Sequence, residues 1–175
     1  MKNNFFLVLV LLLTVSCKNN IQGQKKNNLY QNIVKAFIDY RNSETKISKK
    51  ENILIIGANT SENVENAYWL DIWFVNPKLL QDFEYSKVYE IEGYKLIIDE
   101  SLNKSDILKN SFKEIRFENL NLATELIEYD SKNWYIVFNS KNEIIRISPQ
   151  KNSQEIKNLL TKKKIKFSKD FADNQ

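Results

Sequence analysis

The chain has 175 residues, a length that one hydrophobic core can serve, and a formal net charge of +4, which is too small to predict binding to nucleic acid. It contains no histidine, one cysteine and three glycines. These counts exclude Ser-His-Asp and Cys-His catalytic sites, histidine zinc sites and glycine-rich phosphate loops. The composition therefore favours a non-catalytic protein without a metal or another cofactor.

The first residues combine a basic side chain, Lys2, with an uncharged and largely apolar run at 5–15. A helix that crosses a bilayer needs about 20 apolar residues, so this run is too short to span a membrane. A short apolar run behind a basic residue is typical of a cleaved export signal. We therefore expect residues 1–16 to be a signal peptide that takes no part in the fold.

The end of this segment contains the single cysteine, because Thr14, Val15 and Ser16 lead directly into Cys17. The segment resembles the lipobox of bacterial lipoproteins, although Thr14 stands where that motif most often has leucine. The resemblance covers residues 1–17 alone. It implies that Cys17 carries fatty acids such as palmitate, becomes the mature N-terminus and anchors the protein to a membrane, as two or three acyl chains can.

A polar segment follows, so that residues 17–28 consist of the cysteine and the sequence KNNIQGQKKNN. With one apolar residue it cannot bury surface, and we expect a flexible tether. Lys18 stands where many lipoproteins of the inner membrane have aspartate, and the segment has no acidic run. The resemblance to lipoproteins therefore implies a position in the outer membrane, facing the periplasm.

Residues 29–171 are expected to form a single domain that begins with a helix. Apolar side chains recur there at intervals of three or four residues, at Leu29, Ile33, Phe37 and Tyr40. This spacing predicts an amphipathic helix, and Arg41 lies largely off its apolar stripe. The β-branched run Asn52–Asn59 then predicts a well-buried strand.

The next predicted strand, YWLDIWFV at Tyr68–Val75, is apolar on both faces apart from one carboxylate. Trp69, Asp71 and Trp73 alternate with the other residues and so share a face. One interpretation is a central strand covered on both sides, with Asp71 hydrogen-bonded at a rim. The other is an aromatic platform around a central acceptor, able to stack a sugar or bind a cation. We take these three residues as the candidate ligand-binding site.

Turn and capping signals divide the rest of the chain. Pro77 favours a short helix, and Lys87–Asp99 reads as two strands joined at Glu92-Gly93. A weak helix is expected at 106–113. Trp134–Ile147 predicts a hairpin with its loop at Asn139–Asn142.

The C-terminal part predicts a closing helix, in which Asn152 and Glu155 form a pair like a capping box. The basic run Thr161–Lys169 fits either a solvated helix end or a patch for lipid or polyanion. Together the elements predict an α+β fold: an antiparallel sheet of about five or six strands, with the N- and C-terminal helices packed on one face.

The function favoured by these patterns is a lipid-anchored binding module for a protein or glycan partner in the cell envelope. Two alternatives are an immunity or inhibitor lipoprotein of the periplasm and a structural accessory of an envelope complex. A glycan hydrolase ranks last. It needs only two carboxylates, for which Asp71, Asp99 and Glu100 are the candidates near predicted strand ends.

Overall fold

The structure, a computed structural model, describes residues 29–49, 52–62, 64–75, 85–115, 132–149 and 152–171. The expected signal peptide, Cys17, the tether at 17–28 and the helix expected at Pro77 lie outside the described residues. The described ranges form three helices and seven strands, so the α+β class is confirmed. No helix in these ranges is long and apolar enough to span a bilayer.

The elements follow one another along the chain in an order that begins and ends with a helix. They are α1 at 29–44, β1 at Ile53–Thr60, β2 at Tyr68–Val75, β3 at Val88–Ile91, β4 at Tyr94–Ile98, α2 at Asp106–Lys109, β5 at Lys113–Ile115, β6 at Trp134–Phe138, β7 at Ile144–Ser148 and α3 at Ser153–Lys162.

The strands form one mixed sheet with the order β5-β3-β4-β1-β2-β6-β7. Five of the described pairings are antiparallel, and β1 pairs with β4 in parallel. The expectation of five or six antiparallel strands is therefore only roughly right. The extra strand, β5, is a largely exposed three-residue edge strand, too short to show an alternating pattern.

Helices α1 and α3 pack on one face of the sheet, as expected, and we call this the inner face. Its core joins alternate residues of β1, β2, β4 and β6 to the apolar side of both helices. The largest fully buried side chains of this layer are aromatic: Tyr30, Phe37, Tyr94, Trp134 and Phe138. Phe37 of α1 stacks on Phe74 of β2 with ring centroids 5.5 Å apart, so the helix stripe predicted from the sequence is confirmed.

The opposite face of the sheet, which we call the outer face, has a smaller apolar cluster. It contains side chains from β1, β2, β3 and β4: Ile53, Ile55, Trp73, Val75, Val88 and Ile97. Tyr85 and Ile115 pack against it. The second strand therefore buries side chains on both faces, and its central position between β1 and β6 is confirmed.

Both predicted hairpins form where the sequence places them. Glu92 and Gly93 have φ values of 52° and 79°, the left-handed conformations that a tight two-residue turn requires. In the β6–β7 loop, the Asn139 side-chain oxygen accepts from the backbone N–H groups of Lys141 and Glu143 at 2.9 and 3.0 Å. Asn142 there has a φ of 59°, which asparagine tolerates better than most residues.

Three local predictions are corrected. Arg41 is buried rather than off the stripe, and its guanidinium lies 3.5 Å from the Glu44 carboxylate. Asn152 makes no side-chain capping hydrogen bond to α3, and its amide N–H donates to the hydroxyl of Tyr40 in α1. The helix expected at 106–113 is confined to α2, a single turn, and Lys113 already belongs to β5.

The basic run after α3 returns to the edge of the sheet. The backbone N–H of Ile144 donates to the Lys166 carbonyl at 3.0 Å, and the Ser168 N–H donates to the Ile144 carbonyl at 2.9 Å. Ile165 is buried, Lys166 is exposed, and Phe167 and Ser168 are half-buried. The run therefore covers part of the β7 edge, which would otherwise expose unpaired backbone groups.

Candidate functional site

The outer face of β2 and β6 brings two aromatic rings together. In this antiparallel pair, Asp71 is opposite Tyr135 and Trp69 is opposite Val137, so Trp69 and Tyr135 are diagonal neighbours, within reach of large side chains. Their ring centroids lie 5.3 Å apart with the planes inclined by 34°, and both side chains are half-buried. We call them the aromatic pair.

The polar tips of the aromatic pair make no hydrogen bonds within the described part of the chain. This holds for the Trp69 indole N–H and for the Tyr135 hydroxyl. A half-buried aromatic ring with an unused polar tip is the kind of group that protein interfaces select, because it combines apolar area with a directional donor.

Asp71 lies directly opposite Tyr135, and its carboxylate accepts a 2.9 Å hydrogen bond from the Asn133 amide. Burial raises the pKa of Asp71, while the hydrogen bonds from Asn133 and from the Ile72 backbone lower it. Burial also raises the pKa of Tyr135. The Asp71 charge raises the pKa of Tyr135 further, and the Arg146 charge lowers it. The Tyr135 hydroxyl is therefore close enough to Asp71 and to Arg146 for both charges to change its pKa.

Trp73, the third residue of the platform expected from the sequence, has a different environment. It is only 8% exposed and packs in the outer-face cluster with Ile53, Ile55 and Val75. The structure therefore brings Trp69 together with Tyr135, and it does not offer the Trp73 ring as an open surface. Of the three expected residues, Trp69 and Asp71 are the two that lie beside the half-buried Tyr135.

A β-bulge in the β6–β7 pair adds a charge to this region. The register shifts between Val137 and Phe138, so Ile144 and Ile147 both belong to the inner core although they are three residues apart. Ile145 and Arg146 consequently share the outer face. An unbulged strand would put neighbouring side chains on opposite faces.

The bulge residues form part of a cleft of about 330 Å³ beside the aromatic pair. Its floor comes from β6 and β7, one wall from the β1–β2 loop, and the other from the hairpin loop and the segment after α3. We call it the outer cleft, and its lining residues are, in chain order, Ser61, Val64, Tyr135, Val137, Asn139, Ile145, Arg146, Ser168 and Asp170.

The carboxylates considered for hydrolysis are not gathered in this cleft. Asp99 accepts hydrogen bonds from the backbone N–H and the hydroxyl of Ser101 at 3.1 and 2.6 Å, which close a turn after β4. Glu100 accepts from the Ser86 hydroxyl at 2.6 Å. Both side chains thus have local structural partners.

Gly57 of β1 lies opposite Asp71, next to this turn. A Cβ atom at Gly57 would lie 2.5 Å from a methyl carbon of Leu102. Glycine therefore lets the Leu102 side chain cover this part of the outer face.

Two residues of the site, Tyr135 and Arg146, were not identified from the sequence. Alternation within WYIVF separates Tyr135 and Val137 from Trp134, Ile136 and Phe138, so the sequence indicates which face of β6 carries Tyr135. The sequence does not indicate that Tyr135 lies beside Trp69, because the pairing of β2 with β6 joins segments far apart in the chain. Arg146 depends on the bulge, for which IIRIS gives no signal.

Comparison with protein-family models, with curated proteins and with solved structures gives no match to this chain. Within the described ranges, no three His, Cys, Asp or Glu side chains are grouped so that they could hold a metal ion. The site is thus defined by its own geometry: an aromatic pair, a half-buried carboxylate and a cleft with an arginine.

Proposed function

We propose that this protein is a lipid-anchored lipoprotein of the bacterial cell envelope, positioned in the outer membrane and facing the periplasm. Its domain binds a protein or glycan partner through the outer face of β2, β6 and β7 and catalyses no reaction. The observation that carries the binding proposal is the aromatic pair, whose half-buried rings have unused polar tips within the described part of the chain.

The composition of the outer face supports a binding role. Tyr, Trp and Arg are enriched among the residues that dominate interface energetics, and Trp69, Tyr135 and Arg146 are grouped on one face of the sheet. The helices cover the opposite face, so a partner can approach the outer cleft without displacing the main core.

The proposed anchor constrains where the partner is found. A flexible tether formed by residues 17–28 has a root-mean-square length of about 20 Å. A domain acylated at Cys17 therefore remains close to the bilayer, and the partner has to be an envelope component within that reach.

Replacing Cys17 by serine removes the acylated group, so Cys17→Ser should leave unprocessed precursor. A normally trimmed product of this variant in the soluble fraction would contradict the anchor.

Photocrosslinking in cells tests the binding surface. Benzoylphenylalanine at position 135 puts a reactive ring into the aromatic pair, and the same residue at position 154 provides the control, because Gln154 is exposed on α3. We expect one prominent envelope adduct from position 135 and none from position 154. Equal adducts from both positions, or an adduct from position 154 alone, would contradict binding through the outer face.

A further inference from the structure

The outer cleft has an apolar floor interrupted by one cation. Val137 and Ile145 supply the apolar part, and Arg146 lies beside them because the bulge turns two consecutive side chains to the same face. A guanidinium is a flat group with five N–H donors and no acceptor. Its natural counterpart is therefore an oxygen acceptor with two lone-pair positions, such as a carboxylate.

Arg146 is not neutralised within the described ranges, where its guanidinium forms no ion pair. Asp170 lines the same cleft and is not within ion-pair distance of Arg146. The Tyr135 hydroxyl is a second donor without a partner in these ranges. The floor of the cleft thus offers two unused donors and an apolar surface to an occupant.

The segments that line the cleft carry exposed charges of both signs. Lys141 and Lys169 lie on the side of the hairpin and the C-terminal segment, whereas Glu62 and Glu65 lie in the β1–β2 loop. Among the side chains that line the cleft, Arg146 is the cation and Asp170 the anion, and the exposed Arg146 side chain is accessible to an occupant.

We infer that the outer cleft binds an acidic segment of a protein partner, in which a glutamate or aspartate between apolar residues places its carboxylate on Arg146 and its apolar side chains on Val137 and Ile145. This inference rests on the proposed function, because the cleft adjoins the aromatic pair and shares Tyr135 with it. Arg146 favours an acidic peptide over a neutral glycan, since a neutral glycan does not neutralise its charge.

A pair of short peptides tests the inference on the mature acylated protein in detergent micelles. The probes are acetyl-Ile-Glu-Ile-amide and acetyl-Ile-Gln-Ile-amide, which differ only in the carboxylate. An NMR titration follows the side-chain N–H signals of Arg146 and Trp69. We expect the glutamate peptide to bind about tenfold more tightly than the glutamine peptide, because a hydrogen bond to a charged group is worth more than a neutral one.

Substitutions in the cleft assign the difference to particular groups. Arg146→Ala should abolish the preference for glutamate, while Arg146→Lys should retain part of it, because lysine keeps the charge and loses the planar fork. Asp170→Asn should act in the opposite direction and raise the affinity for the glutamate peptide. Lys95→Ala is the matched control: Lys95 is exposed on β4, about 19 Å from β7 across four strand spacings, and its removal should change nothing.

Equal affinities for the two peptides would overturn the inference, as would a glutamate preference that persists in Arg146→Ala. Tighter binding of an N-acetylglucosamine tetramer than of the glutamate peptide would overturn it in favour of a glycan. Each of these three results leaves the proposed function standing, because that proposal is tested separately by crosslinking from position 135 in cells.

Discussion

The inner and outer faces of the sheet carry similar aromatic residues in different surroundings. On the inner face, Trp134 packs edge-on against Phe37 of α1, with ring centroids 5.4 Å apart. On the outer face, Trp69 lies against Tyr135 at a similar distance, 5.3 Å, and both remain half-buried. The difference is what covers each pair: helices α1 and α3 cover the first, and no described helix covers the second. Burial, rather than residue type, separates the packing rings from those available to a partner.

The three tryptophans of the chain differ in how far the rest of the protein buries them. Trp134 is fully buried, Trp73 is 8% exposed in the outer-face cluster, and Trp69 is half-buried beside the outer cleft. If the account is right, the cost of removing each ring shifts from stability to binding along this series.

The largest loss of stability is expected for Trp134→Ala. The indole lies among Phe37, Tyr40 and other core rings, and removing a fully buried tryptophan costs about 3–5 kcal/mol. Urea unfolding followed by circular dichroism measures the change. A loss smaller than that of Trp69→Ala would remove the distinction between the two faces.

Trp73→Ala sharpens the comparison, because it removes a buried ring from the outer face itself. We expect a loss of about 2–4 kcal/mol of stability, since the side chain packs against Ile53, Ile55 and Val75. Partner affinity should be unchanged in the fraction that is folded. If Trp73→Ala weakens binding more than Trp69→Ala does, the platform first expected from the sequence would be restored.

Trp69→Ala should cost about 1 kcal/mol of stability, the scale of one aromatic pair contact. Its effect on binding should be larger, about 2 kcal/mol or thirtyfold in affinity, as for a residue that dominates an interface. The partner identified by crosslinking serves for the affinity measurement, and urea unfolding of the same preparation gives the stability. Unchanged affinity would place Trp69 outside the interface.

The smallest effect is expected for Asp71→Asn, and it depends on pH. Burial raises the pKa of Asp71 in the folded state above its ordinary value of 3.8. The folded protein therefore favours the protonated carboxyl, and this stabilisation is complete below pH 3.8 and is lost as pH rises through the higher folded pKa.

Asparagine keeps an acceptor for Asn133 and removes the titration. At neutral pH, Asp71→Asn should thus be at least as stable as the wild type, and the advantage should disappear in acid. Thermal unfolding between about pH 3 and pH 7 measures it. A wild type that is clearly more stable at neutral pH would show that the Asp71 charge stabilises the fold.

Local sequence patterns predict much of this fold. The α1 stripe, the two-faced strand β2, and both hairpins follow from residue spacing and turn residues that act over a few positions. The seventh strand and the parallel pairing of β1 with β4 did not follow, because they depend on how distant segments meet. Arg41 was misjudged for a related reason: its burial depends on what lies against the end of α1, which helical spacing does not encode.

The site was readable only in part. Alternation along β2 placed Trp69 and Asp71 on one face with Trp73, but it contained no information on which of these side chains other parts of the chain would cover. The partner ring at Tyr135 required the register of β2 against β6, and Arg146 required a one-residue bulge. Both are long-range features, and a single sequence does not specify them.

The most direct test of the outer face as a binding surface is recovery of the envelope partner from membranes that contain the double variant Trp69→Ala/Tyr135→Ala or the single variant Trp73→Ala. The account predicts that the double variant loses the partner and stays folded, while Trp73→Ala is less stable and keeps the partner. Retention of the partner by the double variant, together with its loss from Trp73→Ala, would contradict the account.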